Sequence, residues 1–392
     1  MKRAGKILFI SHDASRTGAP ILLLQLLQWI KRNTEIQFEI LLQKGGPLQD
    51  DFAALAPTTI LKLSRPVSCI RKSYNRLGQK IPMRFSMAAK ALKYARKGNI
   101  NLIYANTVAV AEEVAALSQL SIPIIWHIHE MPFIIHSFGG GQLFRSASMC
   151  PCAYIAASES VKHGLMAHYS IPGEKINVIC SFISSVENEI QTIKLNRESV
   201  RKELSLLESA FVAGMCGMAG WRKGADLFII VAKHLLTEFP EKNIYLLWIG
   251  APENTSTQNQ IDYDLRVAGL SHRVKFIGIT SNPIRYLAAL DVFTLFSRED
   301  PFPLVMLEAA SLAIPLLCFS RSGGAPEFVQ ADAGVIIEYA DTLAVAQALI
   351  QLSEQPTLRK KLGDAARQKV IDHYTVEVQA PKIANLIRQC LP

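Results

Sequence analysis

The stretch VFTLFSREDPFPLVMLEAASLAIPLLCF, residues 292–319, decides the fold. It reads as two short apolar runs, VFTLF and PLLCF, on either side of a helix-length apolar segment,. Strand, helix and strand in that order belong to a parallel sheet covered by helices. Across 301–320 the only charged residue is Glu308. A carboxylate set into an apolar helix face, with no cation at helical spacing, loses hydration that something else must replace. A ligand is one source of that replacement, and a distant cation such as Arg321 is the other. Asp300 precedes Pro301, which has the form of an N-cap followed by a helix start. Asp300 and Glu308 therefore stand together at a strand–helix junction, an arrangement suited to recognising a hydroxyl-rich substrate.

The same alternation runs outward in both directions. Upstream lie KILFI, a helix over 21–31, FEILLQ, TTILKL, a helix near 83–96, NLIYANT, a helix after Val108, IIWHIH, YIAAS and INVIC. The second half repeats the rhythm: FVAGMCG, a helix over 225–237, YLLWIG, a helix near 260–268, VKFIG, a helix near 283–290, VFTLF, the Glu308 helix, PLLCF and GVIIE. This pattern predicts an α/β protein with two parallel sheets. The polar segment 182–204 lacks a strand pattern and reads as an interdomain connection. The expected division is an N-terminal domain over 1–182, a connection over 183–204, a C-terminal domain over 205–372, and a final helix over 373–392 that packs back on the first domain. Ligands in open parallel sheets sit beyond the carboxyl ends of the strands, so two such domains facing one another would enclose a cleft.

Composition excludes several classes. With 392 residues, 49% of them hydrophobic and 19% charged, the chain has ample material for folded cores,. The start, MKRAGKILFISHDAS, carries too short an apolar run for a secretory signal,. The most apolar long stretch contains Glu308 and early prolines, which argues against a membrane span. Seven cysteines are scattered without CxxC pairs and read as buried, reduced thiols in a cytoplasmic setting,. Cys150 and Cys152 are too isolated for a metal site. The net charge of +9 is uneven: between Ala53 and Ala111 no acid occurs, while Lys62, Arg65, Arg71, Lys72, Arg76, Lys80, Arg84, Lys90, Lys93, Arg96 and Lys97 do. This block, 62–97, reads either as a solvated face or as a surface for an anionic partner, whether an anionic membrane or a diphospholipid-linked acceptor. Nucleic acid is disfavoured, because no binding module accompanies the charge.

Polar loops follow the strands. SHDASRTGAP places Gly18 before an apolar helix, where backbone N–H groups meet an anion or a hydroxyl, or where Ser15 or Thr17 simply caps the helix,. His127 and His129 alternate on a strand, so they share a face; no third metal ligand stands at useful spacing, and His129 is expected to donate a hydrogen bond to a hydroxyl or phosphate, or to be satisfied internally. Arg222 and Lys223 sit at a helix start, where cations oppose the macrodipole by ~0.3–1 kcal/mol each. A diphosphate held by both would reverse that sign. RSGGAPE, 321–327, is a further glycine loop that ends at a helix. Asp262 and Asp264 form the one Asp-x-Asp and read as an exposed helix surface rather than a metal site.

Taken together, SREDPFPLVMLEAASLAIPLLCFSRSGGAPEFV resembles the signature of the family 4 glycosyltransferases, retaining enzymes of the GT-B fold, with support from SHDASRTGAP, IHE, SES, WRKG and VKFIG. The resemblance implies two Rossmann-like domains facing across a cleft, an acceptor-binding N-terminal domain and a nucleotide-sugar-binding C-terminal one. It assigns Glu308 to the nucleotide ribose, Asp300 to the donor sugar, Lys223 and Arg222 to the departing diphosphate, and His129 to the sugar or to assisting transfer. Gly18 lies in the loop beneath the donor, Gly323, Gly324 and Glu327 in the loop after the acid helix, and Ser297 joins the substrate-binding set. Asp stands where the family usually has its first Glu, Pro303 where it usually has Gly, and the basic pair is contiguous. The implied activity is metal-independent, cofactor-free transfer of a sugar from a nucleotide-sugar to a glycan or lipid-linked acceptor, in cell-surface polysaccharide synthesis at the inner face of the membrane. A nucleotide-sugar epimerase or hydrolase of the same fold, or a non-catalytic binding protein, are the alternatives.

Overall fold

The computed structural model describes residues 6–61, 87–137, 141–184 and 190–392. Two compact units divide them: 1–181 with 376–392, and 182–375. The first contains a seven-stranded sheet and the second a six-stranded one.

In the first unit the strands are β1 (Ile7–Ser11), β2 (Phe38–Leu42), β3 (Thr58–Ile60), β4 (Leu102–Asn106), β5 (Ile124–Ile128), β6 (Ala153–Ala156) and β7 (Ile176–Val178). Their order across the sheet is β3-β2-β1-β4-β5-β6-β7, and every pairing is parallel. Strands covered on both faces carry unbroken apolar runs; β1, β4, β5 and β6 are buried at every residue. Trp126, Phe144, Tyr154 and Tyr169 are the large side chains of this core. The last helix, Val376–Cys390, belongs to this unit, where Glu377 accepts from Trp29 Nε1 at 2.7 Å and pairs with Arg32.

The second unit repeats the scheme with β8 (Phe211–Cys216), β9 (Ile244–Ala251), β10 (Val274–Gly278), β11 (Val292–Leu295), β12 (Leu316–Phe319) and β13 (Gly334–Ile337), in the order β10-β9-β8-β11-β12-β13. All its pairings are parallel as well. Phe228 packs edge-on against Trp248 at its centre, with ring centroids 5.1 Å apart. The helix Ile190–Glu203, within the polar stretch read as a connection, belongs to this unit. Arg197 and Arg201 fasten it, both pairing with Asp291 just before β11.

All thirteen expected strands are present, whereas several helix boundaries differ. The first helix runs Gly18–Asn33 and so starts earlier than expected. Between β6 and β7 a helix, Glu159–Tyr169, supplies the parallel crossover, capped by Ser158 Oγ accepting from Val161 N at 3.2 Å. The Glu308 helix is Leu304–Ser311, opening after Pro303 rather than at Pro301. Of the cysteines, Cys216 and Cys318 are buried, but Cys150 and Cys152 are exposed, which corrects the expectation of uniformly buried thiols. They flank the buried Pro151 in the short link before β6. Cys69 and the basic residues 62–86 fall outside the described residues; Lys93, Arg96 and Lys97 are exposed on the helix Met87–Lys97. No helix among the described residues is long and apolar enough to cross a membrane.

Candidate functional site

In each sheet the chain order reverses beside the first strand of the unit, between β1 and β4 and between β8 and β11. Loops leaving the two strands diverge there and open a crevice at their carboxyl ends.

In the second unit the loop after β8 carries the basic pair. Gly224 has φ +77°, and a Cβ there would lie 2.2 Å from the Phe296 carbonyl oxygen, so glycine lets this loop press against the loop after β11,. Arg298 N donates to Arg222 O at 2.8 Å, and the Arg298 guanidinium grips Asp226 at 2.7 and 2.9 Å while lying 4.8 Å from the centre of the Trp221 ring. These contacts bring Lys223 Nζ onto Asp300 Oδ2, with Arg222 Nη1 3.7 Å from Oδ1 and Ser297 Oγ donating to Oδ2 at 3.1 Å. Asp300 is 5% exposed. Burial alone would raise its carboxyl; Lys223 and Arg222 outweigh that and hold it below its ordinary value,.

Asp300 is therefore no helix cap. Its backbone is stitched to the glycine loop, Asp300 N donating to Ser322 O at 2.8 Å and Gly324 N to Asp300 O at 3.0 Å. Gly323, at φ +112°, has no room for a Cβ, which would fall 1.9 Å from the Asp300 carbonyl oxygen. Gly324 opens the short helix Ala325–Val329, whose first turn holds the half-buried Glu327.

Glu308 is half-buried rather than fully buried, while Met306, Leu307, Ala309 and Ala310 around it are covered. Burial pushes the Cys216 thiol at the end of β8 up to about 12, with Glu308 raising it further and Lys223 opposing. Both charges thus act on the same strand end. Arg321 takes Glu338 as its partner. Asp300, Ser297, Arg222, Lys223, Glu308, Gly323 and Gly324 gather at one crevice, and part of the expected demand for an anion beside the cations is met internally by Asp300. Asp262 and Asp264 are exposed on the helix Ser256–Val267.

The first unit's crevice is built around His129, just past β5. Its ring Nε2 lies 2.8 Å from Asn106 Oδ1 at the end of β4, and its backbone N donates to Glu130 Oε2 at 2.9 Å. Burial, with His12 nearby, pushes the His129 imidazole down to about 3, so it is neutral at physiological pH. His127 is 2% exposed, its Nδ1 2.6 Å from the Tyr104 hydroxyl and its ring centroid 3.9 Å from that of His129. No group of three or more His, Cys, Asp or Glu among the described residues is placed to hold a metal ion. Gly18 is exposed at the first turn of its helix; neither Ser15 nor Thr17 caps it, since Thr17 makes no capping bond and Ser15 bonds to Asp13 Oδ1.

Asn106 and Thr107 escape a sequence reading, although the polar end of the buried run NLIYANT is their signal. Thr107 has φ +75° and ψ 160°, a conformation that costs a β-branched residue on the order of 1–3 kcal/mol,. Four bonds impose it: Thr107 N to His127 O at 2.9 Å, Trp126 Nε1 to Thr107 O at 2.8 Å, Ala109 N to Thr107 Oγ1 at 2.9 Å and Val108 N to Glu130 Oε2 at 3.2 Å.

Residues 196–369 match the family described as glycosyl transferases group 1, and residues 18–185 match glycosyltransferase family 4. The capsular polysaccharide biosynthesis glycosyltransferase CapM of Staphylococcus aureus is 26% identical over 233 residues, 59% of this chain and 60% of that protein. The N-acetyl-alpha-D-glucosaminyl L-malate synthase of Bacillus anthracis is 30% identical over 210 residues, 53% of this chain and 51% of that one. The matched stretches thus span about half to three-fifths of these relatives' lengths. Among solved structures, Anabaena HepE in complex with UDP and glucose superimposes with a TM-score of 0.79 at 20% identity, over 98% of this chain and 99% of that one. WaaG, a glycosyltransferase involved in lipopolysaccharide biosynthesis, gives 0.74 at 13% identity, over 97% and 99%. Likeness at such identities speaks to fold alone.

Proposed function

The chain belongs to the family 4 glycosyltransferases and has their GT-B fold, and we propose that it is a metal-independent, retaining hexosyltransferase, moving a sugar from a nucleotide-sugar to a hydroxyl of a glycan or lipid-linked acceptor in cell-surface polysaccharide synthesis. The observation that carries this reading is the crevice between β8 and β11, where Lys223, Arg222, Asp300 and Glu308 stand together.

Each group has a task there. The Glu308 carboxylate accepts hydrogen bonds from the two ribose hydroxyls, a charge-assisted contact contributing about 1.5–3 kcal/mol per bond. Lys223 and Arg222 stabilise the diphosphate as it departs, and Asp300 holds Lys223 in place and contacts the sugar. Ser297 supports Asp300, Gly323 and Gly324 let the donor approach the backbone, and Glu327 and Gly18 lie in the flanking loops. His129, in the first unit's crevice, binds a sugar. During transfer the bond from the anomeric carbon to the leaving phosphate oxygen breaks, the bond to the acceptor oxygen forms on the same face, and the acceptor proton passes to the departing phosphate. Stabilising that phosphate's charge is the dominant contribution.

The exposed cations Lys93, Arg96 and Lys97 support docking on an anionic membrane from the cytoplasmic side, whose negative surface potential attracts basic segments,. No nucleic acid is involved.

The test is product analysis with a panel of sugar nucleotides and saccharide acceptors. The expected result is a glycoside with the donor's anomeric configuration, and a turnover about 10²-fold lower for Glu308→Gln and for Lys223→Gln, which keeps an N–H donor to Asp300. An inverted product, or wild-type turnover in both variants, overturns the assignment. Epimerised or hydrolysed donor, unchanged in amount by acceptor, favours the alternative enzymes.

A further inference from the structure

Asn106 is 1% exposed, and both ends of its amide are committed. Its Nδ2 donates to the carbonyl oxygen of Ala19, in the first turn of the helix Gly18–Asn33, at 3.2 Å, so its Oδ1 is the atom turned toward His129. Flipping the amide would set two oxygens against each other at Ala19. An amide oxygen accepts only, hence the proton of the 2.8 Å contact resides on His129 Nε2. The neutral ring has one proton, which leaves Nδ1 with a bare lone pair, and no hydrogen-bond partner is present for Nδ1 among the described residues.

We propose that Asn106 is a positioning residue that fixes His129 as the Nε2–H tautomer, so that Nδ1 accepts a hydrogen bond from a sugar hydroxyl. The direction is opposite to the donating histidine that the sequence suggested, and it selects the ligand. A lone pair attracts an O–H and repels the oxygens of a phosphate, so His129 contacts the saccharide and not the diphosphate. The hydroxyl contact rests on the functional reading above, whereas the tautomer rests on the Asn106 geometry alone.

The surroundings keep the ring neutral. His12 and His127 face it from the ends of β1 and β5, and neither favours a second positive charge. Asp13 lies against His12 Nε2 at 3.3 Å, and the Glu130 carboxyl, which burial raises to about 7, accepts from the N–H groups of Val108 and His129. Replacing the Asn106 amide by a carboxylate puts a full negative charge on the ring and raises its proton affinity.

Histidine-selective 15N labelling with long-range proton–nitrogen correlation reads the tautomer of each ring, and loss of a signal set in His129→Gln assigns it. Wild-type protein should show a protonated Nε2 and a bare Nδ1 at His129, unchanged between pH 8 and pH 5. Asn106→Ala should give a mixture of tautomers, and Asn106→Asp should move the protonation midpoint up into that pH range. A proton on Nδ1, a wild-type midpoint above pH 5, or an unaltered ring in both variants overturns the proposal. Adding a sugar nucleotide that raises the unfolding midpoint should shift Nδ1 and leave the Nε2 proton in place; an unmoved Nδ1 overturns the hydroxyl contact. Absence of binding by every sugar nucleotide counts against the functional reading and leaves the tautomer result standing by itself.

Discussion

Asp300 and Glu113 show how the carboxyl group is driven in opposite directions. Asp300 is buried beside Lys223 and Arg222, and their charges keep its carboxyl below the ordinary value. Glu113 is 1% exposed with the Gln43 amide donating to it at 2.7 Å, and burial raises it from 4.5 to about 7. A carboxyl raised on folding adds stability that is complete below pH 4.5 and is lost as pH rises through 7, because the folded chain is the form that holds the proton. Glu113→Gln should therefore raise the denaturation free energy at pH 8, by on the order of 3 kcal/mol at most, and change it little at pH 4; urea titrations at the two pH values check this, and equal effects at both would contradict it. The site acids and the basic pair were legible in the sequence because a lone charge in an apolar run, or two cations at a helix start, conflict with their local surroundings. Asn106 was not, since 23 residues separate it from His129 and only the register of β4 on β5, Asn106 opposite His127, brings it there.

Loops rather than helices set the geometry at the next scale. The pattern Asp300-Pro301 has the local form of a helix start, yet the helix opens only at Leu304, because the Asp300 backbone is already bonded to Ser322 and Gly324. Tertiary pairing overrides a local preference there. Gly323→Ala tests the stitch. At φ +112°, with the Asp300 carbonyl 1.9 Å from the added Cβ, the two loops must separate. The variant should lose roughly 1–3 kcal/mol of stability and at least tenfold in sugar-nucleotide affinity, measured by denaturation and calorimetry; unaltered affinity would mean that the glycine loop does not position Asp300. The helix Glu159–Tyr169 is not legible in the sequence because its mixed composition shows no strong apolar stripe, even though its cap, Ser158, closes the run YIAAS.

At the scale of the whole chain, thirteen strands were legible because strands of parallel sheets are covered on both faces and stand out as apolar runs bounded by polar loops. Strand order was not legible. Nothing local in KILFI or FVAGMCG says that β1 lies beside β4, or β8 beside β11, and those adjacencies create the two crevices. The departures from the family pattern, Asp300 and Pro303, fall in the loop that the second crevice holds, so donor choice is where this chain is expected to differ from its relatives.

Calorimetric unfolding with a panel of sugar nucleotides tests the central claim, that the β8–β11 crevice holds an activated sugar through Lys223, Asp300 and Glu308. One of them, at 100 times its dissociation constant, should stabilise the wild-type protein by about 2.7 kcal/mol, and the shift should vanish in Lys223→Gln and Glu308→Gln. No shift with any sugar nucleotide, or a full shift in both variants, would contradict it.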